Sequence, residues 1–288
     1  MYAGTHEPAW GDFLVSLPVT AAAVVVVMAV TFAVAQRLGR HAVVDVTWGL
    51  GFAVIAAVSW SMSQGVEFHV LVAAGEDPPP ALRPWIALGL TVVWGLRLAT
   101  HIALRSRGHG EDPRYEELMA RAPGNPKWHA FTRIYLTQGA VMWLVSLPVQ
   151  VAMFEVWFVG PVAWIGAALW AVGMFFETVG DWQLSRFRND PSTKGEVLDT
   201  GLWRYTRHPN YFGDACVWWG LFLVGADAWP GVLTVFCPLM MTWLLAKGTG
   251  KPLLEKDMVS RRPGYAEYVR RTSGFVPLPP RKHPRVAP

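Results

Sequence analysis

Apolar runs recur along this chain of 288 residues, and they constrain its fold more than any other feature. A helix needs roughly 20 consecutive apolar residues to cross the hydrocarbon core of a bilayer. Only 16% of the residues are charged, whereas soluble domains average about a quarter. The pattern therefore predicts an all-α integral membrane protein, a bundle of seven transmembrane helices. The predicted spans are 13–35, 43–63, 82–104, 131–153, 157–179, 210–226 and 229–247.

The positions of the basic residues predict how this bundle is oriented. All 25 lysines and arginines except Arg83, Arg97 and Arg133 lie after the first, third or fifth span, or from Lys247 onward. Because cytoplasmic loops carry the excess of positive charge, we expect a chain in the inner membrane with its N-terminus outside and its C-terminus in the cytoplasm. Topology thus explains the formal net charge of +4, and no nucleic-acid partner is predicted.

The two cysteines, Cys216 and Cys237, both lie in apolar runs. Such cysteines are usually small buried hydrophobic residues, and a disulfide between them is not expected. No cluster of cysteine and histidine has the spacing of metal ligands, so no metal site is predicted.

The stretch 177–214 is rich in charged and hydrogen-bonding side chains and lies between apolar runs. If the fifth helix continues past its span, Glu177, Asp181 and Arg188 share one helix face. Acids at membrane depth usually face the interior of a bundle or a wet cavity, and they are usually functional. We therefore expect this face to line a site at the cytoplasmic mouth of the bundle.

A second polar face follows at the start of the sixth span. Asn210, Asp214 and Trp218 recur there at spacings of four residues. Arginines suit phosphates because the planar guanidinium makes paired charged hydrogen bonds, while Asp and Asn suit ribose hydroxyls and amides. Together the two faces predict a nucleotide cofactor. The alternative is that these groups only form hydrogen bonds between helices.

These residues resemble the membrane steroid 5-alpha-reductase family, most closely its bacterial branch. The likeness covers about 40–280. It rests on Asp181 to Arg188, Gly195-Glu196-Val197, Gly201-Leu202-Trp203-Arg204-Tyr205, Arg207-His208-Pro209-Asn210-Tyr211-Phe212-Gly213-Asp214, Pro252-Leu253-Leu254-Glu255-Lys256, Tyr265 and Tyr268, and upstream on Val44-Asp45-Val46-Thr47-Trp48-Gly49, Trp94-Gly95-Leu96-Arg97 and Glu111-Asp112-Pro113-Arg114-Tyr115.

The resemblance implies a seven-helix bundle that reduces activated carbon–carbon double bonds with NADPH as its cofactor. It also implies a set of cofactor-contacting residues, which includes the basic position Arg97 near the phosphates or the substrate. The full predicted set is Arg97, Glu177, Asp181, Arg188, Tyr205, Arg207, His208, Asn210, Tyr211, Asp214 and Trp218.

The predicted catalytic residues are Asp45, Trp94 and His101. The steroid enzymes hold the substrate carbonyl with a glutamate and a tyrosine. Trp94 stands at the tyrosine position and cannot act as that acid, and Asp45 is our counterpart for the glutamate. Burial would favour proton donation by Asp45. The alternatives are that Asp45 pairs with Arg97 or stabilises a helix end, and that His101 makes a structural hydrogen bond.

The sequence therefore predicts a reductase that transfers hydride to an activated C=C bond of a steroid-like or other lipid substrate. Helices of 1–150 would serve the lipophilic substrate, 151–280 would bind NADPH, and 281–288 would be a basic tail on the bilayer. Two alternatives stay open: an S-adenosylmethionine-dependent methyltransferase of the isoprenylcysteine type, which shares the Arg207-His208-Pro209-Asn210-Tyr211 motif, and a non-enzymatic lipid-binding protein or transporter. The oligomeric state is not predicted.

Overall fold

The computed structural model describes residues 10–74, 82–155, 159–248, 250–255 and 258–281, and the side chains of all of these except 65–74. Helices and turns make up this part of the chain, and it contains no named strand. The α-helices are α1 (Trp10–Leu38), α2 (Val43–Ala74), α3 (Leu82–Arg105), α4 (Pro113–Ala120), α5 (Pro126–Ala130), α6 (Thr137–Val145), α7 (Leu147–Met153), α8 (Pro161–Asn189), α9 (Pro209–Ala226), α10 (Phe236–Ala246), α11 (Lys251–Glu255), α12 (Met258–Arg261) and α13 (Tyr265–Arg271).

Several of these helices are long and apolar enough to cross a membrane. Five qualify by themselves, and a sixth crossing results if the bent pair Pro126–Val145 and Leu147–Met153 counts as one span. The five are Trp10–Leu38, Val43–Gln64, Leu82–Arg105, Pro161–Asn189 and Gly231–Arg261. Length and composition thus support an all-helical, multi-pass membrane protein.

The count of seven spans and the orientation of the termini stay predictions. The predicted sixth span coincides with α9, but Asn210 and Asp214 make the first half of that helix polar. The predicted fourth span is bent by 48° where α6 gives way to α7. The fifth begins at Pro161 instead of 157 and runs on to Asn189. Of the predicted tail 281–288, only Arg281 lies within the described residues.

The chain divides into two compact units. The first comprises Met1–Trp164 and Leu221–Cys237, and the second comprises Ile165–Gly220 and Pro238–Pro288. We describe each unit by itself. The roles predicted for 1–150 and 151–280 stay predictions, and the segment Leu221–Cys237 groups with the first unit.

Glycines bring α2 and α3 together in the first unit. A Cβ atom on Gly49 would lie 2.3 Å from the carbonyl oxygen of Gly95, and one on Gly95 would lie 2.4 Å from that of Gly49. Small residues of this kind allow helices in membranes to pack by van der Waals contact. Large apolar side chains on α1, such as Leu14, Val15 and Val26, are exposed, as expected of a helix that faces lipid.

A buried polar network holds the bend between α6 and α7. Thr20 on α1 donates to the Gln150 side-chain oxygen at 2.8 Å and accepts from the Trp143 indole at 3.0 Å. The Gln150 amide in turn donates to Ser146 at 2.8 Å. Because each buried polar group here has a partner, the bend is stabilised without an orphaned hydrogen-bonding group.

In the second unit, glycines spaced by seven residues place α8 against α9. Cβ atoms added to Gly213 and Gly220 would lie 2.5 Å and 2.6 Å from the carbonyl oxygens of Gly173 and Gly166, respectively. Glycine at these positions therefore allows the two helix backbones to approach each other closely. This contact brings the polar end of α8 beside the first turns of α9.

Candidate functional site

The polar faces of α8 and α9 meet in the second unit. Glu177, Asp181 and Asp214 are each less than a tenth exposed. The Asn210 side-chain amide donates to a carboxylate oxygen of Asp181 at 3.1 Å. Gly213 leaves room for Glu177, whose Cβ would lie 2.9 Å from a Cβ added to that glycine. The structure therefore brings these four predicted cofactor residues together, and Trp218 is fully buried one turn beyond Asp214.

A short turn docks on the side of α8 next to these acids. The backbone N–H of Leu202 donates to the Gln183 side-chain oxygen at 3.0 Å, and the Trp203 indole donates to the Gly180 carbonyl at 3.1 Å. Tyr205 follows this turn with 44% of its surface exposed. Its side chain is thus accessible to a ligand, as the prediction for Tyr205 requires.

A basic surface cavity lies at the end of α8. Its volume is about 330 Å³, and Arg188, Lys194 and Arg262 bring three positive charges to its lining. The one acid in the lining, Asp190, is already engaged, since it accepts from the backbone N–H and the hydroxyl of Ser192 at 2.9 Å and 2.7 Å. The cavity therefore has a net positive charge and suits an anion. Lys194 and Arg262 were not in the predicted site.

Arg207 and His208 are bound within the protein. Arg207 is buried and forms an ion pair with Glu255 at 2.8 Å, and it also donates to the carbonyl of Thr272 at 2.7 Å. His208 contacts the same carboxylate at 2.9 Å through Nε2. Burial lowers the pKa of His208, and the neighbouring Glu255 only partly opposes this. The ring of Tyr211 lies parallel to that of His208, with centroids 5.4 Å apart.

A second polar cluster lies in the first unit, where α2 begins. The Tyr115 hydroxyl donates to one carboxylate oxygen of Asp45 at 2.6 Å, and Arg114 donates to the other at 2.9 Å. The Gln138 amide donates to the same Tyr115 oxygen at 3.0 Å. Burial, together with the charge of Asp45, raises the pKa of Tyr115, so the phenol keeps its proton.

The loop that carries this cluster is fixed to the N-terminus of α2. Glu111 accepts the backbone N–H of Ala42 at 2.8 Å and also that of His41, which satisfies donors that a helix start leaves open. Asp45 therefore pairs with Arg114 and Tyr115, whereas Arg97 was the partner considered from the sequence. Sequence reasoning missed Tyr115, although it lies in the quoted motif that begins at Glu111.

The remaining predicted residues of the first unit lie on α3. Trp94 is fully buried, and its ring meets that of Phe52 at 5.5 Å between centroids. Arg97 and His101 lie one and two turns further along, and both are half-buried. Their predicted roles stay predictions. Among the described residues, no group of three or more histidine, cysteine or acidic side chains could hold a metal ion.

Comparison with known proteins assigns the chain to a family. The model of the family described as "Protein of unknown function (DUF1295)" matches residues 31–272, which is most of the sequence. The chain belongs to the DUF1295 family. The match extends over both units and includes every predicted site residue. No solved structure matches the chain.

Two curated relatives of this DUF1295 protein are similar at low identity. An uncharacterised protein of the fission yeast Schizosaccharomyces pombe is 27% identical over 227 residues, which is 68% of this chain and 63% of the yeast protein. The 3-oxo-5-alpha-steroid 4-dehydrogenase 1 of Bos taurus is 26% identical over 240 residues, which is 78% of this chain and 87% of the bovine protein. The DUF1295 chain is thus a distant homologue of a steroid 5-alpha-reductase.

Proposed function

We propose that this protein is a membrane-embedded, NADPH-dependent reductase that transfers hydride to an activated C=C bond of a lipophilic substrate, a steroid or another lipid. One observation carries the proposal: buried acids and an amide meet where α8 contacts α9, and α8 then ends at a basic cavity. The distant homology to the bovine steroid dehydrogenase supports the same reaction class.

The chemistry of the two groups of side chains fits a phosphorylated dinucleotide. Carboxylates and amides form hydrogen bonds with ribose hydroxyls and with a carboxamide, and carboxylates repel phosphates. The cations in the lining of the cavity attract phosphates, and an arginine can bind one through two parallel hydrogen bonds. Arg188 lies seven residues beyond Asp181, on the same face and about 10 Å further along the helix axis. Sugar-binding and phosphate-binding groups are therefore separated along one element.

NADPH, when bound, supplies the hydride that the β-carbon of a polarised alkene accepts. We assign the proton to the pair of Tyr115 and Asp45 in the first unit. Tyr115 is 8% exposed and holds its proton, while the side chain of Asp45 is 23% exposed and within reach of water. The phenol passes a proton to the α-carbon of the enolate, and Asp45 returns one from solvent. Gln138 and Arg114 hold the pair in place.

The rival reaction is methyl transfer from S-adenosylmethionine, since buried acids also suit a ribose and an ammonium group. S-adenosylmethionine carries no phosphate, so it has no group that the cations of the basic cavity at the end of α8 would bind. A positively charged cofactor is also disfavoured next to three cations. The cavity therefore favours NADPH over S-adenosylmethionine.

Ligand-dependent thermal stability tests the proposal without a known substrate. Purified protein in nanodiscs is heated with NADPH, NADP⁺, NADH or S-adenosylmethionine at equal concentrations. A ligand that binds the folded state alone raises the Tm, and at equal concentration the tighter ligand raises it more. We expect NADPH and NADP⁺ to raise the Tm most, NADH less, and S-adenosylmethionine not at all. A rise with S-adenosylmethionine and none with NADPH would replace the reductase by a methyltransferase.

A further inference from the structure

The side chain of Glu255 binds two residues of the segment that leads into α9. Its carboxylate binds the guanidinium of Arg207 at 2.8 Å and 3.3 Å and the imidazole of His208 at 2.9 Å. These two residues directly precede Pro209, the first residue of α9. One carboxylate from α11 therefore fixes two consecutive side chains at the entrance of the helix that carries Asn210.

The same entrance is tied to the C-terminal segment by backbone contacts. The N–H of Arg207 donates to the carbonyl of Ser273 at 2.9 Å, and the Thr206 hydroxyl donates to that of Phe275 at 2.8 Å. The remaining guanidinium nitrogen of Arg207 donates to the carbonyls of Val269 and Thr272. The guanidinium is thus engaged by the protein itself, which makes Arg207 a brace for the helix start.

The contact with Glu255 also decides the tautomer of His208. Burial lowers the pKa of the imidazole, so the ring is neutral near pH 7. A neutral ring next to a carboxylate must carry its proton on the nitrogen that faces it, which is Nε2. Nδ1 is then the acceptor, and the ring lies flat against Tyr211, with 7° between the two planes.

We propose that Glu255 is a positioning residue of the cofactor site, which orients Arg207, His208 and Tyr211 and thereby the start of α9. The next residue in the helix, Asn210, makes the contact with Asp181 that joins α9 to α8. Glu255 itself need not touch the cofactor. Its carboxylate holds the start of α9 in one orientation. A rotation of this start would break the hydrogen bond between Asn210 and Asp181. The inference rests on the proposed binding of NADPH in this unit.

Two variants and one control test this role. Glu255→Gln keeps the size of the side chain and removes its charge. Glu255→Asp keeps the charge that neutralises buried Arg207, so the fold has no uncompensated charge, but it withdraws the carboxylate from His208 by one methylene. Glu267→Gln is the matched control, since Glu267 is an exposed acid on α13 of the same unit. The probe is NADPH, and its Kd is measured by fluorescence titration of the full-length protein in nanodiscs.

We expect both Glu255 variants to raise the Kd of NADPH, by about tenfold for Glu255→Gln, the effect of weakening one charge-assisted hydrogen bond. Glu267→Gln should bind like the wild type. Selective ¹⁵N-histidine labelling gives a second readout that general loss of stability does not change. The His208 signal, assigned by its loss in His208→Gln, should show the proton on Nε2 in the wild type and a mixture of tautomers in Glu255→Gln.

An unchanged Kd in a folded Glu255→Asp or Glu255→Gln variant would overturn the positioning role, as would a wild-type His208 with its proton on Nδ1. If the wild type binds NADPH and the variants bind it equally well, this inference alone fails. If the wild type does not bind NADPH, the proposed function fails and the positioning role fails with it. If the Glu255→Gln variant does not fold, the Kd of the Glu255→Asp variant, which retains the ion pair with Arg207, decides the test.

Discussion

At the scale of single residues, the buried carboxylates of the second unit are separated from the exposed cations at and beyond the end of α8. Asp181 is buried, whereas Arg188 and Lys194 are exposed at the cavity. If Arg188 contacts the 2′-phosphate, Arg188→Ala should weaken the binding of NADPH roughly ten- to a hundredfold, the range for loss of a charge-assisted hydrogen bond. The binding of NADH, which lacks that phosphate, should be nearly unchanged. Titration of both cofactors checks this. Arg186→Ala, an exposed arginine on the same helix, is the control, and equal losses for NADH and NADPH would make Arg188 structural.

Tyr115 and Asp45, the proposed proton-donating pair in the first unit, give a second prediction at this scale. Tyr115→Phe removes the hydroxyl and leaves the ring, so the Kd of NADPH should stay the same. Turnover should fall by roughly 10²- to 10⁴-fold, the usual contribution of a positioned proton donor. The measurement is NADPH oxidation with lipids extracted from the cells that make the protein. Normal turnover in Tyr115→Phe and in Asp45→Asn would remove the pair from the mechanism.

A third residue-scale prediction concerns an ion cluster in the first unit that serves stability. Arg83 binds Asp227 at 2.8 Å and lies 3.6 Å from Glu155, and all three side chains are at most 4% exposed. Asp227 also accepts the backbone N–H groups of Gly160 and Val162, near the start of α8. Burial raises the pKa of Glu155 from 4.5 to about 7, despite the lowering effect of Arg83.

The folded pKa of Glu155 is thus above its unfolded value, so its contribution to stability is complete below pH 4.5 and is lost as the pH rises through about 7. We expect the Tm to fall across this window in the wild type, and to fall less in Glu155→Gln, which cannot ionise. Differential scanning fluorimetry from pH 4 to 8 measures the difference. Parallel curves for the two proteins would show that Glu155 does not titrate in this range.

At the scale of elements, the crossing of α8 and α9 depends on glycine. A Cβ atom on Gly213 would lie 2.5 Å from the backbone nitrogen of Glu177, so even Gly213→Ala must push the helices apart. We expect a lower Tm and a loss of NADPH binding, since Asn210 would leave Asp181. Gly89→Ala on α3 is the control, because no atom lies within 4 Å of its added Cβ. A Gly213→Ala variant with wild-type Tm and Kd would contradict this account of the crossing.

The sequence predicted those features that depend on residues close together in the chain, and it missed those that depend on residues far apart. The polar faces of α8 and α9 were predictable because spacings of four residues place side chains on one helix face. The pairs Asp45–Tyr115 and Arg207–Glu255 were not, since 70 and 48 residues separate their members and no local periodicity links them. The bend between α6 and α7 was also missed, because apolar composition continues through it.

At the scale of the whole molecule, the described residues form five helices, or six with the bent pair, that are long and apolar enough to cross a membrane. The distant homology to a steroid dehydrogenase extends over 78% of the chain. We propose that the second unit binds the cofactor and that the first supplies the proton. The substrate class rests on the apolar, lipid-facing character of the helices.

The transfer of label from the cofactor to a lipid tests the central claim most directly. Purified protein in nanodiscs is incubated with the lipid extract of its source cells and with either NADPH deuterated at the transferring carbon of nicotinamide or S-adenosylmethionine labelled in its methyl group. Mass spectrometry then follows the label. We predict that deuterium from NADPH appears in a lipid that has lost one C=C bond, and that Tyr115→Phe slows this transfer. Methyl label in a lipid, with no deuterium transferred and no NADPH oxidised, would contradict the account.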